Sequence, residues 1–188
     1  MRIAFFSPLR PIASGISDYS EELLPYLACG AEIALFVDGY IPSSPAIRRD
    51  FAIYQAGDFE RVWQEERFDI CLYHIGNGPC HVYMLPFLRR YGGVVVLHDA
   101  VLHHMLGYLL AVCGDTASFL AGFPEEIAAG LARRHQAGFY SGTDEFFFPG
   151  CREVVRQSRG VLVHSEYARQ VALQAVPTAR VQIVRHHW

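Results

Sequence analysis

The stretch "RIAFFSPLRPIASGISDYSEELLPYLA", residues 2–28, decides the fold class. It opens on an apolar run without polar alternation, the pattern of a parallel strand covered on both faces. A Pro-rich loop containing Gly15 follows, and then "DYSEELLPYLA", whose periodicity predicts an amphipathic helix from Asp18 to Ala28. Asp18 and Glu21 stand at capping-box spacing at its start. Strand, loop and helix in this order place the loop and the helix N-terminus at the carboxyl end of a first strand. In open α/β sheets that is where ligands bind.

The same alternation continues along the chain. "EIALFV", "DICLYHI", "GVVVLH", "GVLVHS" and "VQIV" read as further buried strands, with a weaker one in "FAIYQ" near Phe51. Helical patterns separate them at 58–67, 81–90 and 166–175, with Asp58 placed to cap the first of these. Strands alternating with helices imply right-handed βαβ units and a doubly wound, mostly parallel, Rossmann-like sheet. Residues 100–157 break the rhythm with "VLHHMLGYLLAV", "PEEIAAGLARRHQAGFY" and "CREVVRQS", all helical in pattern. They read as an insertion of two or three helices forming a lid or a cleft wall, with "SGTDEFFFPG" as a loop packed by its Phe side chains. One domain, 1–188, is expected. "VQIVRHHW" reads as a last strand and its exit, with no covering helix after it.

Composition bounds the function. The chain has 188 residues, 52% apolar and 13% aromatic, enough to bury a substantial core. A net charge of -3 without a basic run argues against nucleic acid as the partner, although helix ends can still hold anions. Five cysteines without a CxxC pair suggest buried free thiols in a reducing cytosol rather than a disulfide framework or zinc ribbon. Neither a signal-peptide core nor an apolar stretch long enough to span a bilayer is present, so a cytoplasmic chain, or one peripheral to the membrane, is expected.

Candidate chemistry gathers at the strand ends. Ser14, Gly15 and Ile16 form a loop where the backbone can approach a phosphate at a helix N-terminus, or a plain turn. In "VVVLHDAVLHH", residues 94–104, His98 and Asp99 follow a buried run and so face a cleft. There the imidazole can exchange a proton with a hydroxyl while the carboxylate orients it. The bland alternative makes Asp99 a helix cap and His98 a core residue. His74 and Asn77 in "YHIGNGP" are candidates for the same cleft, as is His103. His103 and His104 are adjacent on a helix, point about 100° apart, and cannot readily share one metal ion. Ser165 and Glu166, which open the helix after "VLVH", are further candidates for the same cleft. A Ser–His–Asp hydrolase using Ser165 lacks the GxSxG elbow, and capping is the simpler role.

Taken together, residues 1–28, 73–104 and 160–170 resemble, in order and spacing, the N-terminal half of group 1 (family 4) retaining glycosyltransferases of the GT-B fold. The resemblance implies two Rossmann-like domains facing a cleft, the first holding the acceptor and the second a nucleotide-diphosphate sugar. It implies that the Gly15 loop approaches the donor diphosphate, that His98 lies beside the transferring sugar, and that Asp99 lies near the acceptor. No metal is expected for the chemistry. The family's donor half, with its basic pair and E-x7-E motif, has no room in 188 residues. Weak nucleotide-sugar binding, little turnover alone and self-association through the exposed interdomain face are therefore expected. A non-catalytic Rossmann-like binding module is the alternative.

Overall fold

Ile3, Ala4, Phe5 and Phe6 are all buried, as a strand covered on both faces requires. The computed structural model describes residues 1–139 and 141–185; His186 and His187 of the "VQIVRHHW" exit lie outside them. Among the described residues the first half runs β1 (Arg2–Phe6), α1 (Gly15–Leu27), β2 (Glu32–Val37), α2 (Pro45–Asp50), β3 (Ala52–Gln55), α3 (Phe59–Glu66), β4 (Ile70–Ile75), α4 (Leu85–Tyr91) and β5 (Val94–Leu97). Five helices then intervene: α5 (His103–Ala111), α6 (Thr116–Ala121), α7 (Glu125–Gln136), α8 (Gly142–Phe147) and α9 (Arg152–Gln157). The chain re-enters the sheet as β6 (Gly160–Val163), α10 (Glu166–Ala175) and β7 (Val181–Ile183).

All strand pairs are parallel, in the order β3-β2-β1-β4-β5-β6-β7. The fold is a Rossmann-like doubly wound sheet. Its direction of growth reverses between β1 and β4, which opens a crevice at their carboxyl ends. Strand alternation sorts the two cores. Ile3 and Phe5 pack with Leu24 of α1, Ile33 and Leu35, whereas Ala4 and Phe6 pack with Phe59 and Val62 of α3 and Leu88 of α4. No helix among the described residues is long and apolar enough to cross a membrane. All five cysteines are free thiols; Cys71 and Cys151 are buried, but Cys29 and Cys113 are exposed.

Several boundaries differ from the sequence expectations. The first helix starts three residues before Asp18, capped by Ser14, because Asp18 and Glu21 are drawn to Arg10 in the preceding loop. Asp58 makes no capping hydrogen bond and ends a 3-10 turn instead. The segment expected as one helix from His81 is a 3-10 turn, Pro79–Met84, followed by α4, whose early Pro86 lacks the N–H needed to continue an α-helix backwards. Among its described residues the insertion holds five helices rather than two or three, punctuated by Gly114 and Gly138 at φ +67° and +74° and by Pro124 and Pro149. "SGTDEFFFPG" forms α8, opened by a Ser141–Asp144 capping box, and Phe146 and Phe147 are 78% and 76% exposed. Of the three Phe residues only Phe148 packs against the core.

The insertion is fastened to the sheet domain. Its neck closes where Leu102 N–H donates to Pro149 O at 2.8 Å. On α4, Arg89 grips the buried Glu153 of α9 with two bonds of 2.6 and 2.9 Å and donates to Ser118 of α6 at 2.6 Å. A bidentate pair of this kind fixes orientation as well as distance.

Candidate functional site

The site begins at the loop after β1. Leu9 is buried, its N–H bound by Tyr40 Oη at 2.8 Å, and Ser7 and Ser20 share a hydroxyl bond of 2.7 Å. These contacts seat the loop against α1. Ser14 Oγ accepts from Ile16 N–H at 3.2 Å, so Gly15 becomes the first helical residue. Gly15 is exposed, and a Cβ built there meets nothing within 4 Å. The fold does not require glycine at that position, and the space in front of it is open.

Gly76, one residue past β4, is required by its neighbours. A Cβ there would lie 2.3 Å from Ile16 Cδ1, 2.9 Å from Asp99 Oδ2 and 3.2 Å from His81 Nε2. The start of α1, the end of β4 and the residues after β5 therefore meet over one backbone floor. Asn77 ties them together. Its N–H donates to Asp99 Oδ2 at 2.8 Å, while its side-chain Oδ1 accepts from His104 N–H at 2.8 Å and Met105 N–H at 3.3 Å, capping α5. Asp99 is thus not the cap of that helix.

Three histidines line up on the α1 face of the sheet: His74 within β4, His98 just past β5 and His164 just past β6. His74 Nδ1 and His98 Nε2 are 3.0 Å apart, and the His98 and His164 rings are 5.0 Å between centroids. Tyr19 of α1 lies edge-on over His98 at 4.9 Å and over His164 at 5.4 Å. His164 Nδ1 is 2.8 Å from Val184 O. His98 is half-buried and opens to the crevice. His74 does not face the crevice, contrary to expectation: it is 0% exposed, and burial, followed by the nearby His164 and His81, pushes its pKa down to about 3. His81, whose Nδ1 meets His74 O at 3.0 Å, is likewise held neutral by burial, with a pKa of about 4.

The crevice has a volume of about 290 Å³ and is walled by Asn77, His98, Asp99, Glu145, Ser165 and Tyr167. Two of the expected cleft residues lie elsewhere. His103 is buried against Phe148 O and Phe123, because its neighbour His104 takes the outward position on the helix. Glu166 points away and pairs with Arg169 at 2.9 Å. Ser165 reaches the crevice, but its hydroxyl accepts from Ala168 N–H at 3.1 Å as the cap of α10. A second, more apolar cavity of about 160 Å³ lies between the insertion and α10, bounded by Phe123, Phe147, Phe148 and Val171, and none of the expected site residues lines it. Among the described residues no group of three or more His, Cys, Asp or Glu side chains is arranged to hold a metal ion.

Charge separates what the crevice can do. Its walls carry Asp99 and Glu145 and no arginine, and the chain contains no lysine. Carboxylates, an amide and an imidazole suit hydroxyl groups, which donate to the first and accept from the last. A diphosphate would be repelled by the same walls and favoured only at the α1 N-terminus. The sequence reading missed Tyr19, Glu145, His164 and Tyr167. A signal for His164 was present, since "YHI", "LHD" and "VHS" all set a histidine at a strand end. Compared with known proteins, the sequence matches no family model and no curated protein.

Proposed function

We propose that this domain forms the acceptor side of a sugar-transfer site that uses a nucleotide-diphosphate sugar. The observation that carries the reading is the meeting of the α1 N-terminus and Asp99 around Gly76, with the His98 N–H donating to Ile75 O at 2.9 Å beside it, at the point where the sheet reverses. In this reading Asp99 and Glu145 accept hydrogen bonds from acceptor hydroxyls, and Tyr167 offers a face for a sugar ring. The Gly15 N–H and the positive end of α1 meet one edge of the donor diphosphate. The principal charge that neutralises the departing diphosphate belongs to a second Rossmann-like domain opposite, as the resemblance implies. A non-catalytic binding module with the same crevice is the second reading, favoured by the lack of an arginine or lysine among the described residues that wall the crevice.

Titration of the 188-residue chain with simple glycosides and with UDP- and GDP-sugars, followed by amide NMR shifts, tests the proposal. Glycosides should shift Asn77, His98, Asp99 and Tyr167, and Asp99→Asn should weaken that binding. Nucleotide sugars should bind with a Kd of about 1 mM or weaker. Tight nucleotide-sugar binding would move the donor site into this domain, and silence of the crevice toward every sugar would sink the assignment. Transfer to a glycoside only when a donor-binding half is supplied separates the enzyme from the module. Sedimentation velocity checks the expected self-association, which a clean monomer at high concentration would refute.

A further inference from the structure

β7 is the last strand on one side of the sheet, and among the described residues it pairs with β6 alone. Val161 N–H donates to Arg180 O and Val184 N–H donates to Val163 O, both at 2.8 Å, and His164 Nδ1 lies 2.8 Å from Val184 O. Backbone groups alternate in direction along a strand. Arg180, Gln182 and Val184 therefore turn theirs to β6, whereas Val181 and Ile183 turn theirs outward, where they meet no backbone partner among the described residues. The side chains do not guard this edge. "VQIV", residues 181–184, holds no proline and no charge, the devices that keep sheet edges from pairing. Gln182, Ile183 and Val184 are exposed, and Val181 packs against the core.

We propose that β7 is an interaction surface for a second copy of this chain, joined edge to edge by antiparallel β7–β7 pairing about a twofold axis at Gln182. In that register Val181 of one copy stands opposite Ile183 of the other, and the two exchange both of their N–H···O bonds. The pair repeats across the axis, so every outward N–H and C=O of these residues finds a partner. The two Gln182 residues form the intervening non-hydrogen-bonded pair, where side chains approach closest, and a primary amide can both donate to and accept from its twin. Val181 and Ile183 lie on the same face as Val161 and Val163 and make an apolar cross-strand contact on each side of the axis. Arg180 falls opposite Val184 of the second copy, so like charges are not directly opposed. This self-complementarity singles out a second copy over a foreign strand, because a twofold contact satisfies the edge with its own sequence in one orientation. A ladder of three residues is small, and the dimer is weak, with a Kd of about 0.1 mM. The pairing uses the sheet edge, away from the crevice, and does not rest on the proposed function.

Sedimentation equilibrium of the full chain from about 0.02 to 1 mM reads the association, and a monomer–dimer equilibrium is expected. Ile183→Pro removes an outward donor and no bond to β6, a change that an edge strand tolerates, and should weaken the dimer about tenfold. Gln182→Lys alters an exposed side chain and sets like charges together at the axis. It should weaken the dimer at low salt and less so at about 1 M salt, where charges are screened within about 3 Å. The register is read by cross-linking with oxidised glutathione after Cys29→Ser and Cys113→Ser remove the exposed thiols. Gln182→Cys should give a disulfide-linked dimer, because Cα atoms opposed in a non-hydrogen-bonded pair lie about 4.5 Å apart. Ile183→Cys should not, because the two 183 positions stand on a diagonal of about 7–8 Å. If Ile183→Pro does not fold, Gln182→Lys and the disulfide pattern decide. A chain that stays monomeric at about 1 mM overturns the proposal and leaves the edge to an extended segment of another protein. A dimer indifferent to both substitutions overturns it too and places the contact on another surface, such as the exposed interdomain face. Equal cross-linking at 182 and 183 overturns the twofold register.

Discussion

Replacing Gly76 with alanine puts a methyl group at the convergence point of the site, and its cost follows from the three neighbours. Ile16 Cδ1, at 2.3 Å, is the end of a flexible side chain and can rotate away. Asp99 Oδ2, at 2.9 Å, is 0.5 Å short of ordinary contact and cannot withdraw without stretching its bond to Asn77 N–H. His81 Nε2 is buried and has little room to retreat. Overpacking of this kind costs about 1–3 kcal/mol. For a chain of this length each kcal/mol lowers Tm by about 2–4 °C, so a fall of roughly 2–12 °C is expected. The assay is a thermal melt with an amide spectrum, in which Asn77 should shift most. Gly15→Ala is the contrast, since it meets open space and should leave Tm unchanged or slightly raised. An unmoved Asn77 amide and a Tm equal to that of the parent would refute the claim that these elements are locked together at Gly76.

Asn77→Ala removes the side-chain acceptor at the start of α5 and should cost about 1 kcal/mol, with faster hydrogen exchange at His104 and Met105; unchanged protection there would contradict the capping role. Glu153→Gln removes the buried carboxylate that holds the partly exposed Arg89 guanidinium and should cost about 1 kcal/mol in urea unfolding, while an effect under about 0.3 kcal/mol would show that the clamp does not hold the insertion. Stability should also fall on acidification: folded His74 and His81 stay neutral down to about 3 and 4, whereas unfolded histidines bind protons from about 6.5. The unfolded state therefore gains protons first as the pH drops. Between pH 6.5 and 5, before most carboxylates titrate, each of the two should cost about 2 kcal/mol. A flat urea midpoint across that window would argue against their burial.

The sheet was legible because its strands are apolar runs separated by helix-period segments, and covered parallel strands need little else. Strand ends were legible too, so His98 and Asp99 were found at the crevice. The facing of a histidine one step inside a strand was not. His74 pairs in register with Val96, and Phe5, Tyr19 and His98 cover its ring. His103 and His104 look alike in sequence; the grip of Asn77 on the first turn of α5 and the contact of His103 with Phe148 O decide which one points inward. The start of α1 was misread because Asp18 and Glu21 serve the Arg10 loop rather than the helix end, a competition that spacing cannot reveal. Glu145 and Tyr167 come to the crevice from segments far apart in sequence, which no local pattern joins.

The excursion between β5 and β6 departs from and returns to adjacent strands, and its two ends meet at the Leu102–Pro149 bond. Such a detour can lengthen, shrink or be exchanged without removing a single rung of the ladder. Its helices supply Glu145 to one wall of the crevice, while His98 and Asp99 stay on the frame. The outer wall of the crevice can thus be rewritten, by evolution or by an engineer, on a segment that adds no strand to the sheet, provided the side chains it shares with the core are kept.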